Sequence, residues 1–328
     1  MRKIFTLAIC LLLVPGISAV LAADGDGGYA ASFLQIPIGA RPAAMGGSYI
    51  SISDDGAAPF YNPAGLSGLR KTLFASSYRA MGLDRTLGYV EGIFPAKGEA
   101  AIGVNWLYAG SGSVEARNSD GDKLGFDLSQ HNHDFSVFFA KRFENVLSAG
   151  FKASYLHTKF SEMTAYSVAI DIGAMFHLSQ LFDRERRDLM PIQDIQAGLV
   201  VRNLGAKYHW SNEKYYLAHS TDILGSTQDD RVPVEVGVGA SARFLNRKLT
   251  LSTDLVKTEH LPIRFHGGGE YIVASNFAIR SGLSGKQFTA GTGYLFKFPS
   301  TVLAIDYAFS TDRVGEGSEH IFSFDLLF

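Results

Sequence analysis

Hydrophobic and polar residues alternate along most of the chain with a period of two. In residues 166–176, apolar or aromatic side chains occupy every second position, and small or polar ones such as Ser167 and Asp171 lie between them. Similar runs occupy residues 147–155, 234–244, 288–296 and 301–309. A period of two is the signature of a β-strand. Each run is about ten residues long, which is typical of a tilted membrane-crossing strand and longer than most strands of soluble sheets.

The pattern divides the chain into about fourteen strands, an even number as in bacterial membrane barrels. The predicted strands start near Thr72, Arg85, Glu99, His133, Val146, Ala165, Ile195, Val234, Lys248, Ile263, Asn276, Gln287, Thr301 and Glu319. The predicted fold class is all-β: a transmembrane antiparallel β-barrel of about 14 strands. The alternative is a soluble secreted β-sandwich. So many long strands would need two sandwich domains, and no linker separates them.

The connections between the predicted strands differ in length on the two sides of the barrel. On the side shared by both termini they are short: residues 95–98, 143–145, 245–247, 274–276 and 298–300. Residues 110–131 and 204–232 are long connections on the other side. Short periplasmic turns and longer outer loops are typical of outer-membrane barrels. The charged connection 179–194 is a long exception on the short side, and the pattern does not assign it a role.

Residues 1–22 are predicted to form a secretory signal peptide. Arg2 and Lys3 precede a short apolar run, and small residues lead to a cleavage site after Ala22. The single cysteine, Cys10, lies within that run, so the mature chain is expected to hold no disulfide. The composition argues against one class of partner, nucleic acid. With 30 Lys+Arg against 32 Asp+Glu the chain has no bulk basic surface, and nucleic acid is not an expected partner.

Residues 23–70 break the alternation and are rich in Gly, Ala and Pro. They contain the runs G-A-R-P-A-A-M-G-G (39–47), S-D-D-G-A-A (53–58) and Y-N-P-A-G-L (61–66). Irregular backbone cannot lie in lipid with unpaired polar groups, so this stretch is expected inside the lumen or outside the membrane. The predicted organisation is therefore a signal peptide (1–22), an N-terminal hatch that plugs the lumen (23–70) and a barrel (71–328).

These runs closely resemble the PorV/PorQ family, whose members carry them in the same order near the mature N-terminus. The family looks like a branch of the FadL-type barrels, in which the N-P-A segment belongs to a hatch inside a fourteen-stranded barrel. The resemblance makes the following residues candidate hatch residues: Arg41, Pro42, Gly46, Gly47, Asp54, Asp55, Asn62, Pro63, Ala64 and Gly65. Without a ligand, Asn62–Gly65 would be a simple turn and the two aspartates would be caps.

The resemblance implies a bacterial outer-membrane protein and leaves two functions open. PorV-type members bind or carry exported proteins in type IX secretion, which is the preferred interpretation here. FadL-type members instead admit hydrophobic molecules. The expected partners are thus secretion-system subunits or exported proteins, or a hydrophobic small molecule, besides outer-membrane lipid. The terminal aromatic residue, Phe328, resembles the signal read by the barrel assembly machinery.

Two further groups of residues are candidates for specific roles. Gly110 and Gly112 follow the third predicted strand, and the likeness to FadL-type barrels makes them a candidate lateral gate; a flexible loop start is the alternative. Aromatic residues of the long connection 204–232 are a candidate partner surface, or would instead pack into the barrel mouth. They are Tyr208, Trp210, Tyr215 and Tyr216.

Motifs of enzyme chemistry do not occur in the sequence. It contains no G-x-S-x-G, no H-E-x-x-H, no phosphate loop and no complete dinucleotide fingerprint, so neither catalysis nor a cofactor is expected. His131 and His133 share a strand face without a third ligand, so no metal site is predicted. Asn118, Asp120 and Asp122 have calcium-loop spacing but lack its glycine and glutamate. An outer-membrane hydrolase is the alternative from another class.

Overall fold

The computed structural model describes residues 29–182, 191–211, 226–311 and 317–328. The predicted signal peptide lies outside these ranges, as do Tyr215 and Tyr216. The strands are β1 (Leu73–Ala80), β2 (Thr86–Ala96), β3 (Ala100–Gly110), β4 (Val114–Arg117), β5 (Lys123–Leu128), β6 (Gln130–Phe143), β7 (Leu147–Phe160), β8 (Met163–His177), β9 (Gln193–Leu204), β10 (Lys207–Ser211), β11 (Thr227–Arg231), β12 (Glu235–Phe244), β13 (Leu249–Thr258), β14 (Ile263–Ala274), β15 (Phe277–Ser284), β16 (Gln287–Lys297), β17 (Val302–Ser310) and β18 (Glu319–Leu327).

Fourteen of these strands form a closed antiparallel barrel in chain order, with β18 paired to β1. The four others form two separate hairpins, β4–β5 and β10–β11, within the two long connections. Every barrel strand starts within three residues of its predicted start. The predicted fold class and strand number are therefore confirmed.

The two faces of the barrel wall differ in polarity, as the alternation requires. On β8, the side chain of Val168 is 59% exposed on the outer face, whereas Asp171 is 4% exposed and points into the lumen. Apolar side chains on the outside have no protein partner and suit a hydrocarbon surround. Buried polar side chains in the lumen need hydrogen-bond partners, and residues 29–70 provide many of them.

The connection lengths agree with the prediction on one side only. Connections on the side of the termini are short, apart from the long one between β8 and β9, which begins with a 3₁₀-helix (Leu178–Leu181). On the other side, residues 161–162 and 285–286 are two-residue turns, so the expectation of long connections throughout that side is wrong. Ser161 and Gly285 have positive φ, which closes a tight hairpin without a loop.

The N-terminal segment, residues 29–70, lies inside the barrel and contacts the inward face of the wall. It contains a 3₁₀-helix (Ser32–Gln35), α1 (Ala40–Ala44), α2 (Ala58–Tyr61) and a second 3₁₀-helix (Pro63–Gly68). At one mouth it leads into β1, where Thr72 exchanges two backbone hydrogen bonds with Phe328. Its other end packs beneath the β10–β11 hairpin at the opposite mouth. Across the described ranges, no helix is long and apolar enough to cross a membrane.

Candidate functional site

The lumen is the candidate functional site, because the predicted hatch residues meet the inward face of the wall there. Arg41, on α1, makes four side-chain hydrogen bonds. Its Nε and Nη2 donate to the two carboxylate oxygens of Glu270 on β14, at 2.8 and 3.0 Å. Its Nη1 donates to the Tyr49 hydroxyl at 2.8 Å and to Asp54 at 2.6 Å. Bidentate pairing of this kind fixes orientation as well as position.

The wall supports this contact with a second arginine. Arg280 on β15 donates to Glu270 at 2.6 Å and to Asp306 on β17 at 2.5 Å. Glu270 therefore lies between two guanidinium groups, one from the wall and one from the N-terminal segment. Arg41 was predictable from the sequence, whereas Glu270 and Arg280, which are 229 and 239 residues away along the chain, were not. The one feature of the sequence that marks them is a charged residue on the face of a predicted strand that otherwise carries small residues.

The acidic pair has two different environments. Asp54 is partly exposed and also faces Arg243 at 3.4 Å. Asp55 is more deeply placed, with 15% of its side chain exposed, and accepts from the Tyr49 hydroxyl at 2.6 Å and from the amide of Ala57 at 3.0 Å. Burial raises the pKa of the Asp55 carboxyl above its ordinary value, with Arg41 opposing the shift. The Ala57 contact matches the turn-stabilising role that was the alternative for these residues.

Glycines allow close approach between the N-terminal segment and the wall. Gly46 and Gly47 end α1 with positive φ, and the Gly47 amide donates to the Pro42 carbonyl at 2.9 Å, as in a helix C-cap. Opposite them, the inward-facing Gly268 and Gly282 carry no side chain at points where a Cβ would overlap the backbone of Met45 and Gly46. The backbone of Gly46 binds the wall directly through Thr289 and His266.

The N-P-A-G run has a structural role in this fold. The Asn62 side chain accepts from the Ala64 amide at 3.1 Å and so caps the 3₁₀-helix that begins at Pro63. Its Nδ2 donates to the carbonyl of Ile50 at 2.9 Å and to that of Ala174 on β8 at 3.1 Å. Gly65 lies against Ser53, where a Cβ would overlap the Ser53 carbonyl. These contacts are those of the alternative interpretation, a turn fixed by Asn and Pro.

A buried carboxylate holds the middle of the segment. Asp254 on β13 accepts hydrogen bonds from the backbone amides of Tyr49 and Ile50, at 2.6 and 2.9 Å. A cavity of about 10 Å³ lies between Arg41, Asp55 and Asp325. That volume suits about one water molecule. The segment and the wall are therefore in close contact at this level.

At the mouth away from the termini the lining becomes apolar. Tyr208, on β10, is 1% exposed and packs against Leu156 and Ala165 of the wall and Leu34 of the N-terminal segment. The prediction that Tyr208 belongs to an exposed partner surface is therefore wrong. The hairpin folds over the mouth and turns the Tyr208 side chain inward. Trp210 is partly buried beside it, with ring centroids 6.0 Å apart. The other two aromatic residues of that prediction lie outside the described ranges.

The candidate lateral gate lies in a continuous part of the wall. β3 pairs residue by residue with β2 and β6 up to Gly110, and Gly112 follows the strand against Asp84. The gate role of these glycines stays a prediction. In this structure the wall has no opening beside Gly110, because β3 is paired with both of its neighbours there. The ladder instead stops early between β8 and β9. β9 ends at Leu204, opposite Ile170, and the described residues give β8 no ladder partner on that side from Ala169 outward.

Side-chain bonds cover the β8–β9 interruption. The Asn203 amide donates to Asp171 at 2.8 Å, and the Lys207 amide donates to the Ser167 hydroxyl at 2.6 Å. This break was not predictable, because no local pattern in the sequence marks it. Phe328, the predicted assembly signal, lies on the outer face, where its ring stacks on that of Phe74 with centroids 5.6 Å apart. The fold does not test its predicted role. Within the described part of the chain no cluster could hold a metal ion.

Comparison with known proteins shows the fold family of this barrel. No family model and no curated protein matches the sequence. Solved structures do match: a Pseudomonas aeruginosa FadL homologue has 13% identity and a TM-score of 0.59, over 89% of this chain and 98% of that one. The Ralstonia pickettii toluene transporter TbuX has 13% identity and a TM-score of 0.62, over 88% and 98%. The CymD monoaromatic hydrocarbon channel has 12% identity and a TM-score of 0.58, over 88% and 97%. The chain therefore has a FadL-like fold, and these likenesses do not single out PorV/PorQ.

Proposed function

We propose that this protein is an outer-membrane channel for hydrophobic small molecules. The observation that carries the proposal is the match, over nearly their full length, to three barrels of which one is a toluene transporter and another a monoaromatic hydrocarbon channel. The apolar mouth around Leu156, Tyr208 and Val232 supports it, since a site for a hydrophobic ligand needs an apolar lining with few polar groups. The position of the N-terminal segment inside the lumen supports a role for it as a hatch.

The comparisons favour transport over the secretion role that the sequence resemblance suggested. A secretion role needs an exposed surface for a large partner, and the inward position of Tyr208 removes one of the residues assigned to it. A sideways exit is part of the transport proposal. The early end of the β8–β9 ladder supports an exit there, and the glycine pair near β3 is the second candidate.

Transport is tested by uptake in cells that lack other channels of this kind. Cells producing the protein are expected to accumulate labelled toluene or labelled fatty acid faster than cells with an empty vector. The same cells report on hatch movement through the double variant Ser48→Cys/Ser252→Cys, because the Ser252 hydroxyl donates to the Ser48 carbonyl at 2.9 Å. Oxidation should join hatch and wall and stop uptake, and a reductant should restore it.

Each single-cysteine variant is the control, since neither can form the internal crosslink. Uptake equal to the empty vector for every apolar compound would contradict the channel. A photoreactive group at Trp210 then tests the alternative, because capture of an exported protein or a large outer-membrane subunit would favour secretion. The proposal includes no catalytic activity, so turnover of ester or peptide substrates by the purified protein would contradict it as well.

A further inference from the structure

An unusual group of basic side chains lies on the outside of the barrel, away from the lumen. His133 on β6 faces His157 on β7 as its cross-strand partner, and His131 faces Lys159 in the same way. All four side chains point outward at the end of the barrel opposite the termini. His133 and His157 stack with ring centroids 5.9 Å apart. Three imidazoles and an ammonium group thus share one small area of the outer surface.

This basic patch, His131, His133, His157 and Lys159, sits directly beyond a belt of aromatic residues. Trp106, Phe135 and Tyr155 are outward-facing members of that belt, one step nearer the middle of the same or neighbouring strands. Aromatic belts mark the level at which hydrocarbon gives way to headgroups. The patch is therefore at headgroup level, where a fixed positive group meets lipid phosphates.

A hydrogen bond sets one of the imidazoles, that of His133, to donate through its other nitrogen. The indole N–H of Trp106 can only donate, and it donates to Nδ1 of His133 at 3.2 Å. Nδ1 of His133 is therefore unprotonated, and its Nε2 carries the proton as a free donor. Nδ1 of His131 lies 2.8 Å from the Tyr108 hydroxyl, in a hydrogen bond in which either group can donate. No carboxylate points outward from β3, β6, β7 or β8, all of which are described, and the exposed Glu162 lies beyond the strand ends, in the turn that joins β7 to β8.

An open groove in the membrane-facing wall begins next to the patch, at Trp106 and Phe135. It has a volume of about 770 Å³ and is lined by Val104, Trp106, Phe135, Val137 and Ala153 among others. Apolar walls of this kind suit a hydrocarbon chain, and the groove ends at the rings that stack on His133. An apolar groove that opens at a cluster of N–H donors matches a molecule with one acyl chain and one anionic head.

We propose that this patch and groove form a binding site for a lipid with an anionic phosphate headgroup. The phosphate oxygens accept from the imidazole Nε2–H groups and from Lys159, and one acyl chain occupies the groove. The site is separate from the lumen, so it is independent of what the channel carries. It would hold a lipid at a defined place against β3, β6 and β7.

Trp106 reports on the site, because it lines the groove and the chain has only two tryptophans. In a Trp210→Phe background it is the sole emitter. The purified protein is reconstituted in dioleoylphosphatidylcholine, and its fluorescence is quenched with dibrominated phosphatidic acid or with dibrominated phosphatidylcholine. We expect phosphatidic acid to bind about fivefold more tightly, the effect of roughly one lysine near an anionic surface. The variant His131→Gln/His133→Gln/Lys159→Gln should bring the ratio to about one.

The chain offers matched controls for this variant. His320 also points outward and shares a hydrogen bond with a tyrosine, Tyr307, at 2.8 Å, but on β18, four strands away from β6 around the barrel. Lys141 is an outward lysine at the opposite end of β6. His320→Gln/Lys141→Gln should leave the preference unchanged. If the triple variant does not fold, Lys159→Gln alone, at an exposed position, should still lower the ratio.

Three results would overturn the site. Equal quenching by the two lipids in the parent protein is the first, and loss of the preference in the control variant is the second. The third is complete competition by inorganic phosphate at low millimolar concentration, since the ligand would then be a free anion and the groove would have no part in binding.

Discussion

At the scale of single residues, the contact between Arg41 and Glu270 joins the hatch to the wall. The sequence identified Arg41 through a family resemblance, and nothing local to position 270 marked its partner. Ion pairs between residues 229 positions apart depend on strand order and register, which a local pattern does not specify. Motif residues on the segment were therefore predictable, whereas the wall residues that receive them were not.

Replacement of Arg41 by Gln should loosen the hatch without opening the barrel wall. Truncating one partner of a buried ion pair costs about 2–5 kcal/mol, and we expect about 2 kcal/mol because Glu270 keeps its bond to Arg280. A cysteine at the buried position Ser51, in the Cys10-free mature chain, should then react with a maleimide about 30-fold faster.

The matched control is Arg70→Gln, since Arg70 is 87% exposed and 3.8 Å from Glu99. Exposed pairs of this kind contribute about 0–1 kcal/mol, so labelling at position 51 should change little. If Arg41→Gln left the labelling rate at the parent value, the Arg41 contact would not hold the segment in place.

At the scale of elements, the strands were predictable. The wall positions that contact the N-terminal segment were not. Period-two alternation located all fourteen barrel strands because one face meets an apolar surround and the other a polar lumen. Gly268 and Gly282 interrupt that pattern without revealing why. Their purpose depends on Met45 and Gly46, which approach them only in the folded barrel. The two-residue turns at 161–162 and 285–286 were not predicted, because the alternating pattern does not specify at which residue each flanking strand ends.

Adding a side chain at Gly282 should displace the end of α1. In Gly282→Val the new Cβ would overlap backbone atoms of Met45 and Gly46, which cannot rotate away as a side chain can. Overpacking of this kind costs about 1–3 kcal/mol, so the labelling rate at Ser51→Cys should rise by about tenfold. Gly88→Ala on β2 is the control, since nothing lies within 4 Å of its added Cβ. An unchanged rate in Gly282→Val would mean that the wall yields instead of the hatch.

At the scale of the whole molecule, we expect the N-terminal segment to decide whether this barrel conducts. Small eight-stranded barrels are filled by their own side chains, and barrels of 16–18 strands leave an aqueous channel. A fourteen-strand wall lies between these cases, and here residues 29–70 occupy the space and satisfy buried wall groups such as Asp254 and Glu270. Without them those charged groups would face water, and the lumen would become a polar pore.

Removal of the hatch should therefore convert a closed barrel into a conducting one. Deleting residues 24–69 tests this in planar bilayers, where we expect steady current steps that the full mature chain lacks. Because the deletion removes many wall contacts, a second variant carries a site-specific protease sequence between Arg70 and Lys71, at the exposed end of the segment, so that the barrel folds first and is cut afterwards. Heat-modifiable gel mobility checks that the wall stays folded in both. Current in the cut protein equal to that of the uncut protein, after the freed segment has been washed away, would show that residues 29–70 are not what closes the lumen.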